Sequence, residues 1–328
     1  MLRFVIRRIL YIIPIMFGVI VLVFLMKVVM PGDPVYELLG STASEEARET
    51  LREQLGLNKP MIVQFGDYVW GLVSRGDLGT SYKTKQPVMT ELVRRIPVTL
   101  AIGFVSLLIG QLVATPLGLL AAVKQYSWVD NLIIFFTIIG ASIPGFWLAL
   151  MMIQFFSVNH HWLPSYYNGT FTGLIMPVIA ASFTGIAATA RGTRTSMLEI
   201  IRQDYVKTAR AKGQKETVVV LRHAFRNALV PVVAGLGGAL GGLLGGSLII
   251  ETVFAVPGLG KYVADSVAQR NYPALQGGII MISLVAVIIN ILIDVMYTFV
   301  DPRLKTTFIA DRKRKKSQKQ QSKDLKTA

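Results

Sequence analysis

Few residues in this sequence could do chemistry. His160 and His161 are adjacent, so they cannot share one helical face as the two histidines of an H-E-x-x-H metal site do. With Trp162, Tyr166 and Tyr167 they read as an aromatic cluster at a membrane interface. Cysteine is absent, which excludes disulfides, thiolate metal sites and cysteine nucleophiles. The stretch AGLGGALGGLLGGS invites a phosphate-loop reading, but the chain contains no G-x-x-x-x-G-K-[ST]. Its Ala234, Gly238, Gly241, Gly242, Gly245 and Gly246 instead recur every three or four residues. That is a small-residue stripe, suited to close helix approach or to leaving space at a pore. Asp294, in NILIDVMYTFVD, is the main ionisable residue inside an apolar run. With Asn290 one turn before it, it suits a structural hydrogen bond or ion pair better than a proton relay. Glu251 and Lys27 stand near the ends of apolar runs, where their charges can snorkel to water. No catalytic residue and no metal site is expected. What remains is QDYVKTARAKG, residues 203–213, a polar and basic island in an apolar chain.

The elements that would position this island are membrane spans. Of 328 residues, 52% are hydrophobic and 16% charged, against about 25% charged in soluble domains. The apolar residues form long runs. Spans are expected near residues 9–30, 98–123, 131–158, 173–190, 228–252 and 277–300, each long enough for a hydrocarbon core of about 30 Å. The first follows LRFVIRR but is too long for a signal peptide and lacks a cleavage site. The net charge of +15 is unevenly spread. Residues 191–226 hold nine Lys/Arg against three acids, and residues 301–328 ten against three. Both segments flank spans, so the positive-inside rule makes them cytoplasmic, together with Arg3, Arg7 and Arg8. Six spans satisfy all of these at once, with both termini inside. The tail RKRKKSQKQQSK is then a solvated cytoplasmic segment near anionic membrane lipid, not a nucleic-acid arm. The organisation follows: a stub and first span over 1–30, an extracytoplasmic lobe over 31–96, a core over 97–300 with a loop at 191–228, and a tail over 301–328.

The lobe should be small and mainly helical. Thr42 and Glu45 have capping-box spacing, with Leu51 and Leu55 on one face of the helix that follows. Ile62, Phe65, Val69 and Val73 mark the buried face of the next helix. In the cytoplasmic loop, TSMLEIIRQDYVKTARAKG reads as one amphipathic helix. Met197, Ile200, Ile201 and Tyr205 lie toward the bilayer or bundle, and Asp204, Lys207 and Arg210 toward water. Gly213 ends it. The small residues Thr208, Ala209 and Ala211 suit docking into a partner's groove. An amphipathic anchor on acidic lipid fits the same composition.

DYVKTARAKG together with RHAFRNALVPVV resembles the cytoplasmic coupling-loop signature of ABC importer permeases, in the form of the dipeptide/oligopeptide permease family. Lys207, Thr208 and Ala209 stand at the E-A-A position, Gly213 at the glycine, and Leu229, Val230 and Pro231 near the end. The glutamate and first alanine of the general signature are replaced, and the stretch from Gly213 to Pro231 is longer. The resemblance extends along nearly the whole chain through FVIRRILYIIPIMFGVIVLVFLM, PGDP, LGLNKPMIVQFGDYVWGLVSRGDLGTSY, PVMTELVRRIPVTL, ASIPGFWLAL and ETVFAVPGLGKYVADSVAQRNYPALQG, which are similar to the first of that family's two permease subunits.

The resemblance implies an all-α polytopic protein, a type I ABC importer permease with six transmembrane helices in a bacterial cell membrane. It implies a second homologous permease, an extracytoplasmic peptide-binding protein, and two cytoplasmic ATPases that bind the ATP and magnesium. No cofactor is expected in this chain. Asp204, Tyr205, Lys207, Thr208, Ala209, Arg210, Ala211, Lys212 and Gly213 would form the coupling helix, and Arg222, His223, Asn227 and Pro231 the end of its loop. Asp33, Asp77, Lys261 and Arg270 are candidate contacts for the binding protein. A related importer for nickel or another small solute would share this architecture. An ion-coupled transporter would need no ATPase and would rely on Asp294.

Overall fold

A computed structural model describes residues 2–29, 34–40 and 42–300, so Asp33 and the tail at 301–328 lie outside the described residues. The first helix, α1 (Leu2–Val29), carries an apolar window from Arg8 to Met26. Three short helices follow: α2 (Pro34–Leu39), α3 (Glu45–Gln54) and α4 (Met61–Arg75). The cap of α3 is Ser44, whose hydroxyl accepts from the Ala47 amide at 3.2 Å, and not Thr42. Starting there puts Glu45 and Glu46 in the first turn, where the helix dipole favours acids. In α4 the packed face is Phe65, Tyr68, Val69 and Leu72, whereas Ile62 and Val73 point outward.

The long helix α5 (Val88–Val123) begins ten residues before the expected span and runs through Pro97 and Pro116. At ~1.5 Å per residue its 36 residues extend ~54 Å, well beyond a bilayer core. Its main partner is α8 (Thr172–Ile201). The two approach closely because α5 presents Ser106, Gly110, Ala114 and Gly118 on one face. A Cβ at Gly118 would overlap the Ala190 carbonyl, and one at Gly110 would come 3.4 Å from the Ser182 carbonyl. Ser106 Oγ donates across the seam to the Val178 carbonyl at 3.1 Å.

The expected straight span at 131–158 is two pieces, α6 (Trp128–Ser142) and α7 (Gly145–Met152), bent by 94°. Pro144 causes the break. It has no amide hydrogen to continue the ladder, and it drives Ile143 into extended backbone, at ψ 119°. Wider, π-helical turns carry α7 on through Ile153–Asn159. The fourth span also differs, since α8 continues eleven residues past 190 to Ile201. What was expected as the start of a loop is helix.

The chain then turns at Arg202–Gln203 into α9 (Asp204–Ala211). A single turn, α10 (Glu216–Val218), leads into a second π-helical stretch at Val219–Phe225. Next come α11 (Arg226–Val253), α12 (Leu259–Ala268) and α13 (Tyr272–Val300). Among the described residues four helices are long and apolar enough to cross a membrane, and the bent α6–α7 pair allows a fifth. The 28-residue α11 occupies the place of the expected fifth span.

Among the described residues three apolar clusters hold the bundle. One joins α1, α4, α5, α12 and α13 around Leu78, Leu92, Leu259 and Met281. A second joins α5, α7, α8 and α11 around Ile102, Met176 and Phe254. The third lies where α5 and α8 end, and it receives α9.

Candidate functional site

The basic island becomes a helix with two distinct faces. Val206 and Ala209 turn inward onto Met197, Val219, Ala224 and Ala228. Asp204, Tyr205, Lys207, Thr208, Arg210, Ala211 and Lys212 are exposed. Two sequence expectations change. α8 and α9 are separate helices, so Met197 is buried while Tyr205 faces outward. Ala209 is small because it packs against the chain's own core, so the small residues on the exposed face are Thr208 and Ala211.

Local bonds fix this surface. Lys207 Nζ lies 2.9 Å from Asp204 Oδ1. Arg210 grips Glu216 through both Nε and Nη2, the shorter contact being 2.6 Å. Gly213, at φ +73°, makes the turn between them in left-handed backbone, which strains any β-branched residue. His223 Nε2 lies 2.8 Å from Gln214 Oε1, and Asn227 Nδ2 donates to the Tyr205 hydroxyl at 3.0 Å. Thus the structure brings His223 and Asn227 against the helix, while Arg222 stays exposed.

The Arg210 hydrogen bonds hold the Glu216 carboxyl below its ordinary value, with the nearby guanidinium charge adding to this. A lowered folded-state value means that the clasp contributes above the unfolded glutamate range and is lost as pH falls through the lowered value. Hydrogen exchange at residues 212–218 should therefore rise only at pH below the ordinary glutamate range. Glu216→Gln should raise it already at neutral pH.

Behind α9 lies a partly open cavity of about 780 Å³ between α5, α8 and α11. Its polar lining includes Ser106 and Gln111 of α5, with Thr184, Thr189, Ser196 and Glu199 of α8. Gln111 Nε2 donates to Thr189 Oγ1 at 3.4 Å. From α11 come Pro231, Gly235 and Gly242, so Pro231 belongs to the cavity rather than to the helix surface. A Cβ at Gly235 or Gly242 would meet nothing within 4 Å, so these glycines leave space, unlike Gly110 and Gly118. The surroundings of Gly238, Gly241, Gly245 and Gly246 lie outside the described residues, as does the Asp294 side chain. Gly242→Leu should cut transport at normal abundance, because its side chain projects into the cavity. Gly118→Leu should instead lower the amount of folded protein, since overpacking costs about 1–3 kcal/mol or more. Parallel uptake and membrane-abundance assays separate the two.

At the opposite end, Glu251 does not snorkel. It is fully buried and accepts from Thr99 Oγ1 at 2.7 Å and from the Lys261 amide at 2.9 Å. Thr99 Oγ1 in turn accepts from the Leu259 amide at 2.8 Å. The carboxylate thus caps α12, where the unpaired amides of a helix N-terminus favour negative charge. Side chains at Gly258 and Gly260 would overlap it. The signal in the sequence was a carboxylate followed by glycines seven and nine residues on, in ETVFAVPGLG.

The far side of α12 is held by Tyr262, which donates to Glu91 Oε2 at 2.6 Å beneath the Arg95 guanidinium. Asn271 ties the 81–82 turn to the same block, through Ser81 and the Tyr82 amide. Asp77 and Arg270 are exposed on this block. Lys261 is paired with Asp265 at 2.6 Å. A second missed pair is Asp130 with Arg194, bidentate at 2.7 Å for each bond.

A family model described as "Binding-protein-dependent transport system inner membrane component" matches residues 114–306, and the model of its N-terminal part matches residues 1–103. The chain belongs to this permease family. It is 37% identical to a dipeptide transport system permease protein of Alkalihalophilus pseudofirmus, over 93% of this chain and all of that one. It is 40% identical to the glutathione transport system permease protein of Escherichia coli, over 93% and 99% of the two chains. The fold is shared with an inward-facing MetNI methionine ABC transporter, at TM-score 0.56 and 24% identity, over 65% of this chain and 97% of that one. The chain is therefore an all-α integral membrane protein of the bacterial cell membrane, a permease with the type I ABC importer fold. A permease of this family works together with other subunits of its transport system.

Proposed function

We propose that this chain forms half of the translocation path of an ATP-driven importer for di- and oligopeptides, and that α9 is its contact with a separate ATPase subunit. The observation that carries the reading is the division of α9 into two faces. One is buried in the chain's own core, and the other leaves Lys207, Thr208, Arg210 and Ala211 exposed and held in place. A helix serving only as a lipid anchor would turn its apolar residues toward the membrane, yet Val206 and Ala209 are spent on the bundle. The cavity favours an organic cargo over a lone metal ion, because about 300–1,000 Å³ is the usual size of small-molecule sites. The names of the relatives agree with a peptide.

A second homologous permease completes the path on the open side of the cavity. Both termini are cytoplasmic, and the 31–96 lobe with the 256–276 segment receives the substrate-binding protein. ATP and magnesium belong to the ATPase subunits. Closure of those subunits moves the two permeases as rigid bodies between two states.

The test uses the assembled transporter. Ala211→Trp should leave the chain inserted and associated with the membrane while uptake is lost and ATP hydrolysis no longer responds to loaded binding protein. Ala209→Trp should instead deplete the chain itself, because its side chain enters the core. Normal uptake by Ala211→Trp at normal abundance would overturn the assignment of α9.

A further inference from the structure

α4 has an apolar arc wider than the bundle uses. At ~100° per residue, Phe65, Tyr68, Val69 and Leu72 occupy one quarter of its circumference and pack against the cluster that includes Met16, Val19 and Ile20 of α1. The next quarter carries Ile62, Trp70 and Val73, which are 77%, 71% and 74% exposed. The polar side comes after that. Asp67 pairs with Lys59 at 2.7 Å, and Gln64 Nε2 donates to the carbonyls of Leu57 and Lys59. One helix therefore has a protein face, an uncovered apolar face and a water face, in that order.

The protein face fixes how deep α4 sits. The membrane-crossing window of α1 is Arg8–Met26, which puts Phe24 near its C-terminal end and Phe17 close to its middle, ~10 Å deeper along the axis. The Phe65 ring lies between them, 5.2 Å from Phe24 and 6.4 Å from Phe17, both edge-on. Phe17 is itself 55% exposed. Tyr68 contacts Phe24 at 6.3 Å, and its hydroxyl is buried without a hydrogen-bond partner. These surroundings are apolar and lie at hydrocarbon depth. A helix seated there, with tryptophan on its open apolar side, has the composition of an interfacial membrane helix.

We propose that α4 lies in the bilayer leaflet at the C-terminal end of α1, with its Ile62–Trp70–Val73 face covered by phospholipid acyl chains. The segment between α1 and α5 is then not a free lobe. α4 anchors it, leaving α2, α3 and the 77–87 turn to meet anything that arrives from water. The inference needs only that α1 crosses the membrane. It does not depend on what α9 contacts, so its failure would leave the ATPase assignment untouched.

The absence of cysteine makes the test direct. Single-cysteine chains Ile62→Cys, Trp70→Cys and Val73→Cys, with Asp67→Cys and Ser74→Cys as water-face controls, are assembled into the complete transporter in phosphatidylcholine vesicles. Each is offered a membrane-impermeant maleimide, then carries a nitroxide challenged with oxygen and with a water-soluble nickel chelate. The expected result is loss of maleimide labelling at the three apolar sites but not at the controls, with oxygen relaxing their nitroxides more than nickel does. Labelling at 62, 70 and 73 as fast as at 67 and 74 would overturn the proposal by putting the face in water. Protection from both oxygen and nickel would overturn it by showing a protein cover. The wild-type Trp70 gives an independent reading in a chain with Trp128, Trp147 and Trp162 changed to phenylalanine. Quenching by brominated lipid is expected, and quenching only by aqueous iodide would contradict it.

Discussion

A Glu251→Ala chain is expected to lose transport and to unfold more easily than a chain with any single change on the exposed face of α9. The carboxylate accepts from Thr99 Oγ1 and the Lys261 amide, and the Gly260 amide and Ser247 also hydrogen-bond it. Each buried donor left without an acceptor costs about 1–3 kcal/mol. The Ala side chain supplies none, and Gly258 and Gly260 leave a carboxylate-sized space behind it. The N-terminus of α12 would then come away from α5 and α11. Thr99→Val should act in the same direction but more weakly, because it strands only the Leu259 amide and one carboxylate lone pair. Thermal unfolding in detergent and protease cleavage between residues 256 and 276 would both register the change. A Glu251→Ala chain with unaltered melting and unaltered cleavage would mean that the Tyr262–Glu91 contact and the apolar packing of Leu259 hold α12 without the carboxylate.

The second large effect is expected at Asp130. Its side chain is 2% exposed, and both its oxygens are taken by Arg194, with the Tyr126 amide also donating. Removing one partner of a buried ion pair costs about 3–5 kcal/mol, and the part-buried Arg194, 21% exposed, sets the expected cost at the low end of that range. Asp130→Ala should therefore destabilise the chain by an amount of that order. It should also disturb coupling, since Arg194 stands on the last turns of α8, which lead directly into α9. The double variant Asp130→Leu with Arg194→Met should recover most of the stability, because an apolar pair strands no charge. Equal melting of the single and double variants would show that the pair carries no net burden in this position.

The sequence was most legible where a signal is local and continuous. Apolar runs marked α1, α5, α8 and α13, and Gly213 marked the end of α9 with a backbone conformation that glycine readily adopts. The bend at Ile143–Pro144 was hidden because hydropathy does not change across SIPG, although a proline preceded by an extended residue was the mark to read. Glu251 and Asp130 were misread or missed for a different reason. Their partners stand 152 and 64 residues away, and a carboxylate in an apolar run gives no hint of which distant hydroxyl or guanidinium will meet it. Ala209 and Ala211 look alike in sequence. Only the turn at Arg202–Gln203 decides which one faces the core.

What meets the outer face of α9 decides its role. The direct measurement is photo-crosslinking in the complete transporter, with a benzophenone maleimide on Ala211→Cys and on Ala209→Cys. Position 211 should crosslink to a nucleotide-binding subunit, more strongly in one nucleotide state than in the other, while position 209 stays unlabelled inside the core. Crosslinks from position 211 to lipid alone, unchanged by nucleotide, would contradict it and return α9 to the role of a membrane-surface anchor.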